Sequence, residues 1–144
     1  DDGAGATNTQ VHADLSSARD HAGPQAVIEP WVEGAAVSLS LLCRPAHFEL
    51  LCVNRQQMAI DAQGRVSFEG VAIDRELSCS DAFEHLARQV VQAIPGLRGF
   101  VGIDLVWHAT RGPVVIEVNP RVTCAYVGLS AALGRNLAAE LLHG

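Results

Sequence analysis

The chain has 144 residues and a formal net charge of −6, with 49% hydrophobic and 18% charged residues, a composition typical of a folded domain with one hydrophobic core. The acidic balance argues against nucleic acid or an anionic membrane as a partner, because both select for clustered Lys and Arg. The sequence lacks an apolar run of about 18 residues and a basic-then-apolar leader. We therefore expect neither a membrane span nor a signal peptide and take the cytoplasm as the default location.

The first nine residues form a glycine-rich stretch with no strand before it. Gly3 and Gly5 allow positive φ angles and close backbone approach, so the local N–H groups could cradle an anion. A glycine-rich terminus is also typical of simple flexibility, and the stretch alone does not decide between the two.

Residues 10–23 are weakly periodic and predict a short helix. Residues 25–32 then predict a strand that leads into a linker, in which Pro30 cannot occupy a central position because it lacks an N–H. For Trp31 the simplest prediction is a side chain that fills the core.

Three further segments, 35–43, 47–54 and 65–73, alternate or run apolar as strands do, and short turns at 44–46 and 61–64 join them. Strands joined by such short turns pair antiparallel.

Two helices complete the pattern. Residues 81–94 carry an apolar stripe, with Asp81 as the predicted cap, and residues 129–142 carry Leu133, Leu137 and Leu141. The sequence thus predicts an α+β domain in which helices pack on an antiparallel sheet.

The segment from Gly99 to Arg121 predicts two apolar strands, 100–107 and 113–119, around a polar turn. If this hairpin is symmetric about the Thr110–Arg111 bond, Asp104 lies directly opposite Glu117. Two carboxylates at such a pair, with Cβ atoms roughly 5 Å apart, repel each other.

A divalent cation would relieve this repulsion. Asn119 lies on the same face as Glu117, and an amide oxygen beside two carboxylates forms the hard oxygen set that suits Mg²⁺, with nucleotide phosphates completing its shell. The alternative is a solvated sheet face, although both strands are otherwise too apolar for an open edge.

The cysteines Cys43, Cys52, Cys79 and Cys124 show no metal-binding spacing. Cys43 and Cys52 are predicted to be buried thiols within strands. Cys124 is more simply a small space-filling residue than a nucleophile, because no base is recognisable beside it.

Residues 99–129 resemble the metal-binding core of the ATP-grasp ligases, in which an acidic residue on one strand and a Glu-x-Asn on the next hold the magnesium ions of ATP. Asp104, Glu117 and Asn119 match that pattern residue by residue. Arg121 matches the Asn-x-Arg form of some members, where the Arg faces the reacting phosphate or acyl group. The run from Asn119 to Gly128 looks most like the subgroup that contains tyramine glutamate ligase and the ligase of pyrrolysine biosynthesis.

The resemblance also implies how ATP is held. The loop with Gly3 and Gly5 would cover the phosphates. Glu29 would take the exocyclic amine of adenine, and the backbone of Pro30, Trp31 and Val32 would meet the purine edge. The polar cluster at 54–57 falls where the subgroup has an Asn-Arg-Gln, so it either points towards bound nucleotide or substrate or is simply a strand-end turn.

Two departures from the family pattern stand out. The family's phosphate-binding Lys would precede Asp1, so residues 1–144 are expected to be the C-terminal part of an ATP-grasp domain, without the N-terminal domain and part of the small lobe. The Glu that grips ribose in many members is Ala36 here, so the sequence does not show how ribose would be held, and Glu33 is a speculative substitute.

The implied function is an ATP- and Mg²⁺-dependent carboxylate–amine ligase that forms an amide through an acylphosphate, with Mn²⁺ as a possible substitute metal. Its partners would be a small-molecule carboxylate and an amine. Two alternatives stay open: a nucleotide-binding or regulatory module without catalysis, and a small-molecule kinase on the same scaffold.

Overall fold

A computed structural model describes residue 6, residues 8–74, residue 77 and residues 80–143. Within these ranges the elements are α1 (Leu15–His21), β1 (Ala35–Cys43), β2 (Phe48–Ile60), β3 (Val66–Asp74), α2 (Asp81–Ala93), β4 (Gly99–His108), β5 (Gly112–Asn119), a 3₁₀ helix (Cys124–Tyr126), α3 (Leu129–Leu133) and α4 (Leu137–His143). The predicted α+β class is confirmed. No helix in the described part of the chain is long and apolar enough to cross a bilayer.

The five strands form one antiparallel sheet in the order β3-β2-β1-β4-β5. β1 occupies the centre, and its last seven residues are all buried. β2 and β3 follow β1 through the two predicted short turns, whereas β4 reaches the other side of β1 through α2. This crossover brings the hairpin of β4 and β5 next to the central strand.

One face of the sheet is apolar and carries α2. The helix contributes Phe83, Ala87 and Val90 to a buried cluster with the sheet residues Val37, Leu39, Leu41, Val53, Val101, Ile103 and Leu105. The predicted apolar stripe of α2 is therefore its packing face. The helix is capped by Ser80 rather than by Asp81, and Ser80 forms no side-chain capping bond.

The opposite face is apolar at one end and polar at the other. At the apolar end, Leu42 and Phe100 pack with Leu129 of α3 and Leu137 of α4, and the Phe100 ring meets the Tyr126 ring edge-on at a centroid distance of 5.4 Å. The helices that follow β5 thus cover only part of this face, and the polar part holds the candidate site.

The strand predicted at 25–32 is wrong, because residues 26–33 have no regular secondary structure. β-propensity makes a strand only where a neighbouring strand completes the hydrogen bonds, and no described strand pairs with this segment. The Trp31 side chain is 51% exposed, so the prediction that it fills the core is also wrong.

The other two predicted helices, at 10–23 and 129–142, have different boundaries in the structure. α1 begins only at Leu15, because Asp14 caps it by accepting a 2.8 Å hydrogen bond from the Ser17 N–H. The single helix predicted at 129–142 is two helices. Gly134 interrupts it with φ of 66°, a left-handed conformation that ends helices and that glycine adopts without strain.

Candidate functional site

Asp104 and Glu117 form the predicted cross-strand pair: Asp104 of β4 lies opposite Glu117 of β5 and, on its other side, opposite Ser38 of β1. The pairing is confirmed, but its assumed symmetry is wrong. Near the turn His108 pairs with Gly112, one residue away from the predicted register, and a β-bulge between Asp104 and Leu105 restores it. A bulge of this kind adds one residue to one strand. The extra residue here is Ile116, and the bulge is what brings the carboxylates face to face.

The Asp104 carboxylate is held by two amide side chains. Its Oδ1 accepts a hydrogen bond from Gln56 Nε2 at 2.8 Å, and its Oδ2 accepts one from Asn119 Nδ2 at 3.0 Å. Burial raises the pKa of Asp104 above its ordinary value; the hydrogen bond from Gln56 opposes that shift, and the negative charge of Glu117 adds to it. Burial and the neighbouring Glu117 carboxylate both disfavour the charged form of Asp104, and a bound cation would favour it.

Glu117 and Asn119 complete a set of oxygen donors. Glu117 is exposed, and none of the described hydrogen bonds or ion pairs engages its carboxylate. Asn119 is only 5% exposed, and its Nδ2 is used by Asp104, which leaves Oδ1 without a described donor. The described residues contain no cluster of three or more His, Cys, Asp and Glu side chains suited to a metal, so a cation here would rest on two carboxylates and one amide oxygen. This set fits a hard divalent cation.

Arg121 lies just beyond the end of β5. Its N–H donates to the Asn119 carbonyl oxygen at 2.8 Å, so the chain turns at Pro120 and Arg121 does not continue the alternation of β5. The side chain is exposed, yet its positive charge lowers the pKa of Asp104. The guanidinium group is therefore within electrostatic range of the acidic pair.

A buried polar network that the sequence did not reveal lies beside this site. Asn54 is fully buried, and its Nδ2 donates to the Ser38 carbonyl oxygen and to the hydroxyls of Ser38 and Ser40 at 3.1–3.3 Å. Asn54 Oδ1 accepts from the Cys52 thiol at 3.1 Å. The available signal was the alternation of Ser38 and Ser40 with apolar residues along β1, which places both hydroxyls on one face.

The polar cluster at 54–57 is part of β2, which continues to Ile60. The alternative of a strand-end turn is therefore wrong. Gln56 reaches Asp104, and Arg55 forms an ion pair with Asp74 at 2.6 Å.

The described contacts do not connect the other predicted site residues to the acidic pair. Gly3 and Gly5 are outside the described residues. Glu29, Pro30 and Trp31 are exposed and Val32 is half-buried, and none of the described hydrogen bonds joins these four to Asp104 or Glu117.

The central strands β1 and β2 also hold Ala36, Cys43 and Cys52. Ala36 pairs with Val106 on β4, while Glu33 is exposed. Cys43 and Cys52 are buried free thiols, as predicted, whereas Cys124 is exposed rather than space-filling.

The chain belongs to the ATP-grasp family: the family model described as an ATP-grasp domain matches residues 1–125. A solved structure supports the assignment. A protein from Archaeoglobus fulgidus assigned to the ATP-grasp superfamily superposes with a TM-score of 0.59 at 32% identity, over 79% of this chain and 36% of that one.

Two curated relatives are more specific. The chain is 33% identical over 103 residues to the tyramine–L-glutamate ligase of Methanocaldococcus fervens and 35% identical over 103 residues to that of Methanocaldococcus jannaschii. Each match covers 72% of this chain, but only 33% and 31% of the respective relative. The chain thus spans about a third of the length of the curated relatives it matches.

Proposed function

We propose that the chain contributes the nucleotide- and metal-binding part of an ATP-dependent carboxylate–amine ligase. The observation that carries this proposal is the pairing of Asp104 with Glu117 on the polar face of the sheet, next to the amide of Asn119. The names of the two curated relatives favour an amino acid as the carboxylate and an aromatic amine as the second substrate.

The proposed reaction has two steps. A carboxylate oxygen attacks the γ-phosphorus of ATP and ADP leaves. The amine nitrogen then attacks the acyl carbon of the acylphosphate, phosphate leaves, and the amine loses a proton to give the amide. Phosphoryl transfer depends mainly on positioning and on stabilising negative charge, so the chain's role is to hold and orient.

In this proposal Asp104, Glu117 and Asn119 hold Mg²⁺, or Mn²⁺ in its place. The metal would neutralise phosphate charge and orient the γ-phosphoryl group. The two amides that bond Asp104 keep its carboxylate oriented without adding charge. Arg121 faces the negative charge that develops during transfer.

The nucleotide contacts are proposals of the same kind. Gly3 and Gly5 would cover the phosphates, Glu29 would accept a hydrogen bond from the adenine amine, and the backbone of Pro30, Trp31 and Val32 would meet the purine edge. The exposure of Glu29, Pro30 and Trp31 leaves them accessible to a ligand.

The test uses the full-length protein with MgATP, L-glutamate and tyramine, followed by panels of other carboxylates and amines. We expect ADP and phosphate to form only when both substrates are present, together with an amide detected by mass spectrometry. A stable phosphorylated acid formed without amine would assign a kinase instead. ATP binding without turnover on any pair would favour a non-catalytic module, and absence of ATP binding would reject the proposal.

A further inference from the structure

Gln56 is not among the three proposed cation ligands, yet it holds one of them. We propose that Gln56 is a positioning residue that orients the Asp104 carboxylate for the divalent cation, through the 2.8 Å hydrogen bond from its Nε2 to Asp104 Oδ1. This inference rests on the proposed function and adds a residue to the same site.

The hydrogen bond spans an entire strand. Gln56 is on β2 and Asp104 on β4, with β1 between them, so their backbones are separated by two strand spacings, roughly 9–10 Å. The β1 residues on this face, Ala36, Ser38 and Ser40, are small. A long amide side chain can therefore extend over β1 to a carboxylate that a shorter one would not reach.

The two donors to Asp104 are neutral, and this is what makes the arrangement suitable for a cation. Gln56 and Asn119 each bond one carboxylate oxygen, which fixes the orientation of the group while its negative charge and further lone pairs stay available. A carboxylate cluster elsewhere shows the opposite arrangement, since Arg135 neutralises both Glu49 and Glu140 with charged hydrogen bonds. No salt bridge engages Asp104 in the described residues.

The backbone that carries Gln56 is itself held in place. Asn54 precedes it by two residues, on the same face of β2, and bonds Ser38 and Ser40 of β1 from a fully buried position. A site mounted on rigid elements retains its geometry better than one mounted on loops. The Asn54 network thus supports the strand from which Gln56 reaches Asp104.

The test measures Mn²⁺ affinity of the full-length protein by electron paramagnetic resonance, without nucleotide. We expect Gln56→Met, which keeps the side-chain length but loses the donor, to weaken Mn²⁺ binding about 10-fold, the lower end of the effect of removing a ligand-orienting partner. Gln56→Lys should weaken it further although it restores a donor, because its charge competes with the cation. Gln57→Met is the matched control: its side chain points to the opposite face, and it should bind Mn²⁺ like the unmodified protein.

Affinity for ATP in the presence of EDTA separates positioning from general structure, and Gln56→Met should leave it unchanged. An equal loss of metal-free ATP affinity would overturn the inference. So would unchanged Mn²⁺ affinity in Gln56→Met while Asp104→Asn loses binding, and that result would leave the proposed function intact. Mn²⁺ binding that is insensitive to Asp104→Asn would overturn both.

Discussion

Asp104 and Glu117 face each other across β4 and β5, and in the described part of the chain both groups that hydrogen-bond Asp104 are neutral amides. The repulsion between the two carboxylates is one that a bound cation would remove.

Metal should stabilise the folded chain through this pair. Adding Mg²⁺ or Mn²⁺ should raise the melting temperature, because a ligand that binds only the folded state adds about 2.7 kcal/mol at 100 times its dissociation constant. Glu117→Gln should remove most of the shift, as measured by differential scanning fluorimetry. Glu69→Gln, a change to an exposed carboxylate on β3, should retain it, and an equal shift in both variants would argue against a cation at this pair.

Arg121 should affect turnover more than binding. Arg121→Lys keeps the charge but loses the planar fork that contacts two phosphoryl oxygens. We expect kcat of the full-length protein to fall by roughly 10² to 10³, with nucleotide affinity nearly unchanged. Calorimetry and saturated turnover measure the two quantities.

Arg111→Lys provides the same chemical change at an exposed position in the β4–β5 turn and should leave both quantities unchanged. Normal turnover in Arg121→Lys would make Arg121 structural. Lost nucleotide affinity with normal saturated turnover would make it a ground-state contact.

Gly102 should be needed for the geometry of the segment that carries Arg121. Gly102 pairs with Asn119, and a Cβ there would lie 2.7 Å from Thr123 Cγ2, so Gly102→Ala must displace Thr123. We expect turnover to fall about 10-fold or more, since small misplacements at a catalytic site are costly. Adding Thr123→Ser, which removes the clashing methyl group, should restore most of the activity. A double variant as slow as Gly102→Ala would contradict this explanation.

Asn54 should be important for stability. Asn54→Ala removes the donor that bonds the hydroxyls of Ser38 and Ser40 and should lower the free energy of unfolding by about 1–3 kcal/mol, the cost of leaving buried polar groups unpaired. Urea denaturation measures the change. Gln92→Ala on the exposed side of α2 should stay within about 0.5 kcal/mol of the unmodified chain, and a similarly small effect of Asn54→Ala would contradict the assigned role.

The cluster around Arg135 should make stability pH-dependent. Hydrogen bonds from Arg135 lower the pKa of Glu49 and of Glu140 below the ordinary value of 4.5. Because these values are lower in the folded state than in the unfolded state, the stabilisation is present above about pH 4.5 and is lost as the pH falls through the folded-state values.

Arg135→Met should therefore be less stable than the unmodified chain at neutral pH, and the difference between the two urea midpoints should shrink as the pH falls below about 4.5. Arg19→Met, a change to an exposed Arg on α1, should show a constant difference. A constant difference for Arg135→Met would show that its ion pairs do not contribute.

The sequence predicted most of the sheet because its strands are marked by local patterns. The alternating or apolar runs of β1, β2 and β3, joined by short turns, indicated these strands and their antiparallel pairing, and the segment from Gly99 to Arg121 indicated the hairpin of β4 and β5. The sequence also predicted the pairing of Asp104 with Glu117, but from a symmetric hairpin; in the structure a β-bulge at Ile116, which has no local signature, produces the pair.

The predictions that failed did so for different physical reasons. Residues 25–32 have strand-forming side chains, but a strand exists only where another strand supplies its hydrogen bonds. The helix predicted at 129–142 overlooked Gly134, which adopts a left-handed conformation and ends α3. The exposure of Trp31 likewise depends on what packs around it, which no local pattern encodes.

By itself the sequence determined the elements that depend on neighbouring residues: the alternating strands, the stripe of α2, and the set of oxygen-bearing side chains in the last hairpin. Only the tertiary structure decided that Gln56 meets Asp104 and that Asn54 meets Ser38 and Ser40. These partners are 48 residues apart in the first case and 14 to 16 in the second. Their meeting depends on the strand order, because α2 carries the chain across so that β4 pairs with β1, and periodicity within a single strand carries no information about which strand lies beside it.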